Sequence, residues 1–269
     1  LPYTDNSNSG NFRTDAASKQ PAFYNTQYNN QEGYYYNNTI YESSPLNRVL
    51  ESTAPGRSWT GQATGASQQD RINTQYDSVV VWDINLEGSL LPTQAGYYVP
   101  GTLYLHETTD EHNNKIIEYK DFQGHIILKK VQLPDQLSPG YTGWLCTYYV
   151  YDDLDRLRFV IPPRAAEMIR SNWTITAAIA NELCFQYRYD QRNRMVMKKV
   201  PGADSTEMVY DIRDRLVFTR DGNLKADGQW LASFYDEQNR PVMTALYNSN
   251  ATRSTLQASL STVTSGTQT

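Results

Sequence analysis

The sequence is short of several residue types on which function is commonly built. Its 269 residues contain two cysteines and three histidines, and only 39% are hydrophobic. Cys146 and Cys184 can form at most one bridge, and both lie in apolar or aromatic runs, which favours inert buried thiols. His106 and His112 are six residues apart, a spacing that misses the four-residue separation of a helical zinc motif. We therefore expect no metal site and no cofactor.

Clustered basic residues and long apolar runs are also scarce. Lys and Arg number 24 against 29 Asp and Glu, and the two signs are interleaved. Because a phosphate-binding surface requires clustered cations, no nucleic acid partner is expected. The densest basic pairs, Lys129-Lys130 and Lys198-Lys199, are interpreted as solvated strand faces. No apolar run approaches the ~20 residues that cross a bilayer, so we expect no membrane span.

Tyrosine is the residue type in excess, with 21 Tyr against 7 Phe. A tyrosine buries its ring while its hydroxyl stays hydrated, so this composition favours half-exposed sheets over a thick apolar core. The predicted fold class is mainly β, with antiparallel hairpins in a curved or coiled sheet, a short helical insert and a C-terminal helix.

Composition and periodicity divide the chain into five segments. Residues 1–75 are rich in Tyr and Asn without periodicity, which predicts an irregular segment packed on the sheet. Residues 76–162 predict β-hairpins, because short β-branched and aromatic runs alternate with turn residues. Residues 163–183 predict a helical insert, which Asn172-Trp173-Thr174 breaks into two helices. Residues 184–250 predict a repeat-built β-sheet, and 251–269 a helix followed by a Ser/Thr-rich tail.

One pattern, Tyr-Asp-x-x-(Asn/Asp)-Arg, recurs in the second half of the chain. Its Tyr, Asp and Arg positions are Tyr151, Asp152 and Arg156; Tyr189, Asp190 and Arg194; Tyr210, Asp211 and Arg215; and Tyr235, Asp236 and Arg240. Two degenerate copies lie upstream, at Asp121 to His125 with Tyr119 and at Leu46-Asn47-Arg48 with Tyr41. The four clear copies are the candidate functional residues.

Each position of the pattern suits a tight turn. The Asp carboxylate can accept backbone N–H groups of the turn that follows it. The fifth position is Asn, Asp or Gly in every copy, and these residues tolerate the left-handed backbone at which a hairpin reverses. The Arg can lie across the Tyr ring or pair with the Asp, for about 0.5–1 kcal/mol if exposed.

A catalytic role for these residues is disfavoured. Catalysis needs groups that converge on one pocket, whereas a repeat distributes its members along a wall. The sequence also shows no nucleophile–base pair, metal cluster or phosphate loop. We therefore predict that the chain is not an enzyme and that the twelve residues are structural repeat turns.

The repeats resemble the YD repeats of RHS (rearrangement hotspot) proteins, which are related to those of teneurins. The wider layout is similar to the N-terminal module that precedes the repeats in Bacteroidetes-type RHS proteins. Besides the repeats, the resemblance is carried by Ser-Pro-Leu-Asn-Arg-Val at 44–49, Ala-Pro-Gly at 54–56, Ile-Pro-Pro at 161–163, and the stretches 195–202, 221–223 and 229–230. It covers most of the chain.

The resemblance implies a β-ribbon that coils into the wall of a hollow shell around a C-terminal toxin, which is released after self-cleavage at an aspartate in a core signature. These residues contain no such signature, so we assign them neither protease nor toxin activity. The implied partners are further YD repeats and a C-terminal effector of the same polypeptide, with secretion machinery or a surface glycan as further candidates. The implied location is secreted or at the cell surface.

Two functions remain open at this point. The first is a non-catalytic structural module, the N-terminal part of such a shell. The second is a cell-surface binding module that recognises carbohydrate or a partner protein through exposed Tyr and Trp. The tyrosine excess between Tyr24 and Tyr41, which no repeat explains, motivates the second.

Overall fold

The computed structural model describes residues 13–84, 91–133 and 141–261. These residues form two compact units. The first unit comprises the described residues up to Ser78 and from Val99 to Leu145, and the second comprises those of Val79–Tyr98 and from Cys146 onward. Both units are built on antiparallel strands, so the predicted fold class is confirmed.

The elements of the described residues are numbered here in chain order. The strands are β1 (Asn38–Tyr41), β2 (Val49–Thr53), β3 (Ala66–Ile72), β4 (Val80–Asp83), β5 (Thr93–Tyr97), β6 (Tyr104–Thr109), β7 (Lys115–Lys120), β8 (Ile126–Gln132), β9 (Trp144–Tyr151), β10 (Leu157–Ile161), β11 (Phe185–Tyr189), β12 (Met195–Lys199), β13 (Thr206–Tyr210), β14 (Leu216–Arg220), β15 (Gln229–Tyr235) and β16 (Pro241–Asn248). The helices are α1 (Ala16–Gln27), α2 (Pro163–Ile169), α3 (Ala177–Leu183), α4 (Gly222–Ala226) and α5 (Arg253–Ser261), with a 3₁₀ turn at Thr60–Gln62.

The sheet of the first unit runs in the order β1-β2-β3-β6-β7-β8, with antiparallel neighbours. Its buried side chains include Leu103, Leu105, Tyr119 and Leu128. Tyr119 of β7 is paired with Leu105 of β6 on one side and with Leu128 of β8 on the other. The hairpins therefore cover one apolar face, as the alternation of their residues predicts.

The N-terminal segment is more regular than predicted, and this expectation is corrected. Residues 1–75 include α1 and the strands β1 to β3. In α1, Ala16 and Ala17 favour helix, but Tyr24 is the only buried residue, so the helix carries no apolar stripe for periodicity to detect. The polar strand β3 is held by its six-residue pairing with β6, and pairing overrides its weak β propensity.

The second unit contains β9 from Cys146 onward and the strands β10 to β16 in sequence order, together with the pair β4 and β5. Three aromatic rings pack edge to face in its core: Trp82, Tyr148 and Trp173, with centroids 5.8–6.2 Å apart. Trp173 lies between α2 and α3 with φ of +50°. The predicted break of the helical insert is thus confirmed, and it places this ring in the core.

A second apolar cluster anchors the end of the described chain. Val209, Trp230 and Leu256 are buried against one another, and Leu256 belongs to α5. The C-terminal helix predicted at the start of 251–269 is therefore confirmed, while residues 262–269, where the predicted Ser/Thr-rich tail falls, lie outside the described residues. The short α4 escaped sequence analysis, although Asp221 caps it by accepting the Leu224 backbone N–H at 3.0 Å.

Candidate functional site: the repeat turns

The four clear copies of the pattern occupy four hairpin turns of the second unit, between β9 and β10, β11 and β12, β13 and β14, and β15 and β16. In the turn of Asp190, one carboxylate oxygen accepts the backbone N–H groups of Arg192 and Arg194 at 2.9 and 3.0 Å. The other three Asp residues make the same pair of contacts. The fifth residue has φ between +58° and +64° in every copy, in agreement with the predicted reversal point.

Each Arg pairs with the Asp of its own turn. The four N–O distances lie between 2.6 and 2.8 Å. Burial alone would raise the pKa of Asp190, but the hydrogen bonds from Arg194 outweigh it and hold that pKa below its usual range. The Asp190 carboxylate is therefore held in its ionised form, with its acceptor positions occupied.

The same Arg also lies over the Tyr ring of the following copy. The distances from Cζ to the ring centroid are 5.3 Å for Arg156 and Tyr189, 4.7 Å for Arg194 and Tyr210, and 5.0 Å for Arg215 and Tyr235. Each of these Tyr hydroxyls donates to the carbonyl of the residue after that Arg: Leu157, Met195 and Leu216, at 3.2, 2.7 and 2.8 Å. We call this chain of contacts the arginine–tyrosine ladder.

Further hydrogen bonds join successive turns within the ladder. Arg156 donates to the carbonyl of Asp190 at 3.3 Å, and Arg194 donates to that of Asp211 at 3.3 Å. Arg194 also pairs with Asp214 of the next turn at 2.8 Å. The sequence left open whether the Arg meets a ring or a carboxylate; the structure shows both, and the ring belongs to the next copy. No pattern within a single copy reveals that neighbour.

The degenerate copy at Asp121 forms the same turn in the first unit. Asp121 accepts the N–H groups of Gln123 and His125 at 3.0 and 2.8 Å, and Gly124 has φ of +90°. The His125 ring nitrogen lies 3.0 Å from the second carboxylate oxygen and takes the place of the Arg. The predicted replacement of Arg by His therefore preserves the turn.

The degenerate copy near Tyr41 uses a longer acid across a longer turn. Glu42 accepts from the Arg48 guanidinium at 2.9 and 2.8 Å, and Asn47 has φ of +50°. The Arg48 hydrogen bonds lower the pKa of Glu42 to about 2. Six positions separate acid from Arg here instead of four, and the extra methylene of Glu spans part of that difference.

A further turn of this kind was missed by the sequence analysis. Asp110 accepts the N–H groups of His112 and Asn114, both at 2.8 Å, and Asn113 has φ of +63°. The Asn114 side-chain amide donates to the second carboxylate oxygen at 2.8 Å, where other copies have Arg. The remaining signal was Asp-x-x-Asn alone, because the flanking Tyr and Arg are absent.

A buried carboxylate outside the repeats lies in the first unit. Asp77 accepts from Arg71 at 2.8 and 2.9 Å, from the Thr74 backbone at 2.6 Å and from the Tyr119 hydroxyl at 2.8 Å. Burial would raise the pKa of Asp77, yet these hydrogen bonds hold it well below its usual range. Its acceptor positions are taken, which favours a structural role over acid–base chemistry.

Lys130 corrects one sequence interpretation. The pair Lys129-Lys130 was interpreted as a solvated face, but Lys130 is only 2% exposed. Its ammonium lies 5.3 Å from the Tyr119 ring centroid and 4.8 Å from that of Tyr141. Adjacent residues of a strand point to opposite faces, so one of two consecutive lysines faces inward, and here two tyrosines receive it.

The tyrosines of the N-terminal segment pack largely on one another. Tyr24 is buried, and its ring stacks on those of Tyr28 and Tyr35 at centroid distances of 5.9 and 5.1 Å. Tyr28 and Tyr36 remain 45% and 46% exposed. Part of the tyrosine excess therefore serves internal packing.

The cysteines and helices bear on other site types. Cys146 and Cys184 are both buried thiols, as predicted, and burial raises the pKa of Cys184 to about 12. Within 13–84, 91–133 and 141–261, no group of three or more His, Cys, Asp or Glu residues is placed to hold a metal ion. No helix in that part of the chain is long and apolar enough to cross a membrane.

Comparison with known proteins gives one partial family match and several structural similarities. The model of a domain of unknown function, DUF6443, matches residues 1–73. No curated protein sequence matches the chain.

Similar solved structures include TcdB2-TccC3 crystal structures and a Tc holotoxin pore. The TcdB2-TccC3 crystal structure has a TM-score of 0.48 at 15% identity, over 84% of this chain and 10% of that one. TcdB2-TccC3-TEV has 0.41 at 15% identity, over 83% and 12%. The Tc holotoxin pore of Photorhabdus luminescens has 0.41 at 13% identity, over 84% and 14%. The chain thus spans roughly a tenth of the length of the structures it is similar to.

Proposed function

We propose that this chain is a non-catalytic structural module, the N-terminal part of an RHS-type YD-repeat shell that encloses or presents a C-terminal effector of a larger secreted or surface protein. The arginine–tyrosine ladder carries the proposal. Its contacts link one hairpin to the next, so the repeat residues act between copies and extend the sheet strand by strand. Such a ladder suits a wall that grows by adding further copies.

The occupancy of the repeat side chains favours structure over catalysis. In each clear copy the carboxylate accepts two backbone N–H groups and a guanidinium. In three of them the guanidinium is also covered by a ring. A general base or nucleophile needs an open acceptor beside a substrate site. These acids lie instead in successive hairpin turns, at the ends of the strands.

The ladder has an open end at Arg240. The side chains of Arg156, Arg194 and Arg215 are 10%, 14% and 18% exposed, whereas that of Arg240 is 74% exposed. The three covered arginines each lie under the Tyr of a following copy. By the same register, the Tyr ring of a further copy would lie over Arg240, and its hydroxyl would donate to the carbonyl of Pro241.

The last strand of the sheet offers an edge for such a strand. Within the described residues β16 pairs on one side only, with β15. Val242 and Met243 point to opposite faces and are 62% and 53% exposed, and Leu246 is 60% exposed. A long, apolar, unpaired edge is a template for another strand. We therefore infer that further YD repeats pair with β16.

Self-association of the isolated chain tests this proposal. The 269-residue chain is expected to associate reversibly through β16 as protein concentration rises, measured by sedimentation velocity. Replacing Val242 and Leu246 together by Lys is expected to weaken this association about 10-fold or more, because two charges blunt the edge. Leu154→Lys is the control, since Leu154 is 61% exposed in a turn away from β16.

Two results would count against the proposed edge. One is a wild-type chain that stays monomeric at every concentration. The other is equal weakening of association by the edge variant and by Leu154→Lys.

A further inference from the structure

The second unit contains a cavity of about 710 Å³ over β10 to β13, at the first residue of α5. Its lining includes five basic side chains and three acidic ones. The basic residues are Arg156, Arg158, Arg188, Lys199 and Arg253, and the acidic ones are Asp190, Asp204 and Glu207. The excess of positive charge contrasts with the net charge of −5 of the whole chain.

The acids of the cavity are engaged by cations that do not line it. Asp190 pairs with Arg194 at 2.7 Å, Asp204 with Lys225 at 3.2 Å and Glu207 with Arg220 at 2.7 Å. Each of these three acids thus has a cationic partner outside the lining, although Glu207 also attracts the Arg188 guanidinium.

Three of the five basic residues are also satisfied. Arg156 and Arg158 both pair with Asp152, at 2.8 and 3.0 Å. The Lys199 ammonium donates to the backbone carbonyls of Asn181 and Ala203. Arg188 and Arg253 remain.

Both of these arginines are partly buried without a hydrogen-bonded acid. Among the described residues, no hydrogen bond or ion pair holds the Arg188 guanidinium. Burial and the nearby Arg158 charge lower its pKa, and the attraction of Glu207 offsets this only in part. The Nη1 atom of Arg253 is buried with no hydrogen-bond partner in the same part of the chain. A buried donor without an acceptor is costly, and an anion in the cavity would supply an acceptor to Arg253 and a counter-charge to Arg188.

We propose that this cavity binds an oxyanion, the phosphate or carboxylate group of a ligand, held by Arg188 and Arg253. A guanidinium presents donors in a planar fork that matches both groups in bidentate fashion. Val196 and Met197 supply an apolar wall beside it. The inference stands apart from the edge at β16, so either can fail without the other.

Isothermal titration of the full chain with pyrophosphate and with citrate, at matched ionic strength, tests the site. Saturable binding of one anion per chain is expected, and the two probes separate a phosphate preference from a carboxylate preference. Arg188→Gln and Arg253→Gln are each expected to weaken binding about 10- to 100-fold, as loss of charge-assisted hydrogen bonds does. Arg213→Gln, at an exposed turn position, removes the same charge and should stay within about twofold.

The melting temperature of the free protein distinguishes binding from a structural role. Arg188→Gln is expected to leave it nearly unchanged, because no hydrogen-bonded ion pair is lost and the relieved repulsion from Arg158 opposes the lost attraction to Glu207. If Arg253→Gln fails to fold, the Arg188 variant still decides the matter. The proposal is overturned by absence of saturable binding, by equal weakening in Arg213→Gln, or by an Arg188→Gln protein that melts several degrees lower yet binds both anions normally.

Discussion

Replacing Asp152 by Asn is expected to lower the free energy of unfolding by about 3–5 kcal/mol, the cost of leaving a buried charge without its partner. The Asp152 side chain is fully buried, and Arg156 and Arg158 beside it are only 10% and 6% exposed. Asn keeps an oxygen that can accept the Leu154 N–H, so the turn itself is preserved. What is lost is the one charge that holds two buried guanidinium groups.

Asp236→Asn is the matched control for this loss. Asp236 makes the same turn, but its partner Arg240 is mostly exposed. Its replacement is expected to cost about 1 kcal/mol or less, because water screens an exposed pair. Urea unfolding followed by circular dichroism measures both variants, and equal losses would show that burial of the pair is unimportant.

The Asp152 effect should also depend on pH in a defined direction. Burial alone would raise the pKa of Asp152, but the hydrogen bonds from Arg156 and Arg158 outweigh it and lower that pKa. A carboxyl group whose pKa is lowered by folding stabilises the protein when the pH is above its pKa in the unfolded chain, about 3.9. This stability is lost as the pH falls toward and through the lower pKa of the folded state. The difference between wild type and Asp152→Asn should therefore narrow below about pH 4.

Replacing Trp230 by Ala is expected to cost about 3–5 kcal/mol and to release α5 from the sheet. Trp230 is fully buried against Val209 and Leu256, and the Arg220 guanidinium lies 4.1 Å from its ring centroid. Among the described side chains of α5, Leu256 is the only buried apolar one. A cavity beneath Leu256 should raise the amide hydrogen-exchange rates of α5 by the factor that corresponds to the loss in unfolding free energy.

Trp230→Phe is the control for loss of the ring as a whole. The indole N–H has no hydrogen-bond partner among the described residues, so Phe sacrifices no hydrogen bond there. We expect a loss of about 1–2 kcal/mol and near-normal exchange in α5. Exchange in α5 that stays at the wild-type level in Trp230→Ala would contradict the proposed anchoring.

The features that could be predicted from the sequence are those set by residues close to one another along the chain. The Asp and the left-handed residue of the four clear copies, the break at Trp173 and the buried thiol of Cys184 all follow from neighbours a few positions away. These features depend on the backbone preferences and hydrogen bonds of residues close in sequence, and a six-residue pattern includes those residues.

The features that escaped prediction depend on pairing across space. The polar strand β3 is a strand because β6 pairs with it, and Lys130 is buried because two tyrosines receive it. The contact of Arg194 with Tyr210 joins separate hairpins. Neither hydropathy nor spacing within one copy carries such information, since tertiary packing decides it.

A double-mutant cycle on the ladder tests the structural role of the repeats most directly. Unfolding free energies are measured for wild type, Arg194→Met, Tyr210→Leu and the double variant, and the same is done with Tyr189→Leu in place of Tyr210→Leu. Tyr210 lies under Arg194, whereas Tyr189 lies under Arg156 of the preceding turn. We expect a coupling energy of about 1 kcal/mol for Arg194 with Tyr210 and about zero for Arg194 with Tyr189. Equal couplings, or a larger one within the single copy, would contradict a ladder that links each repeat to the next.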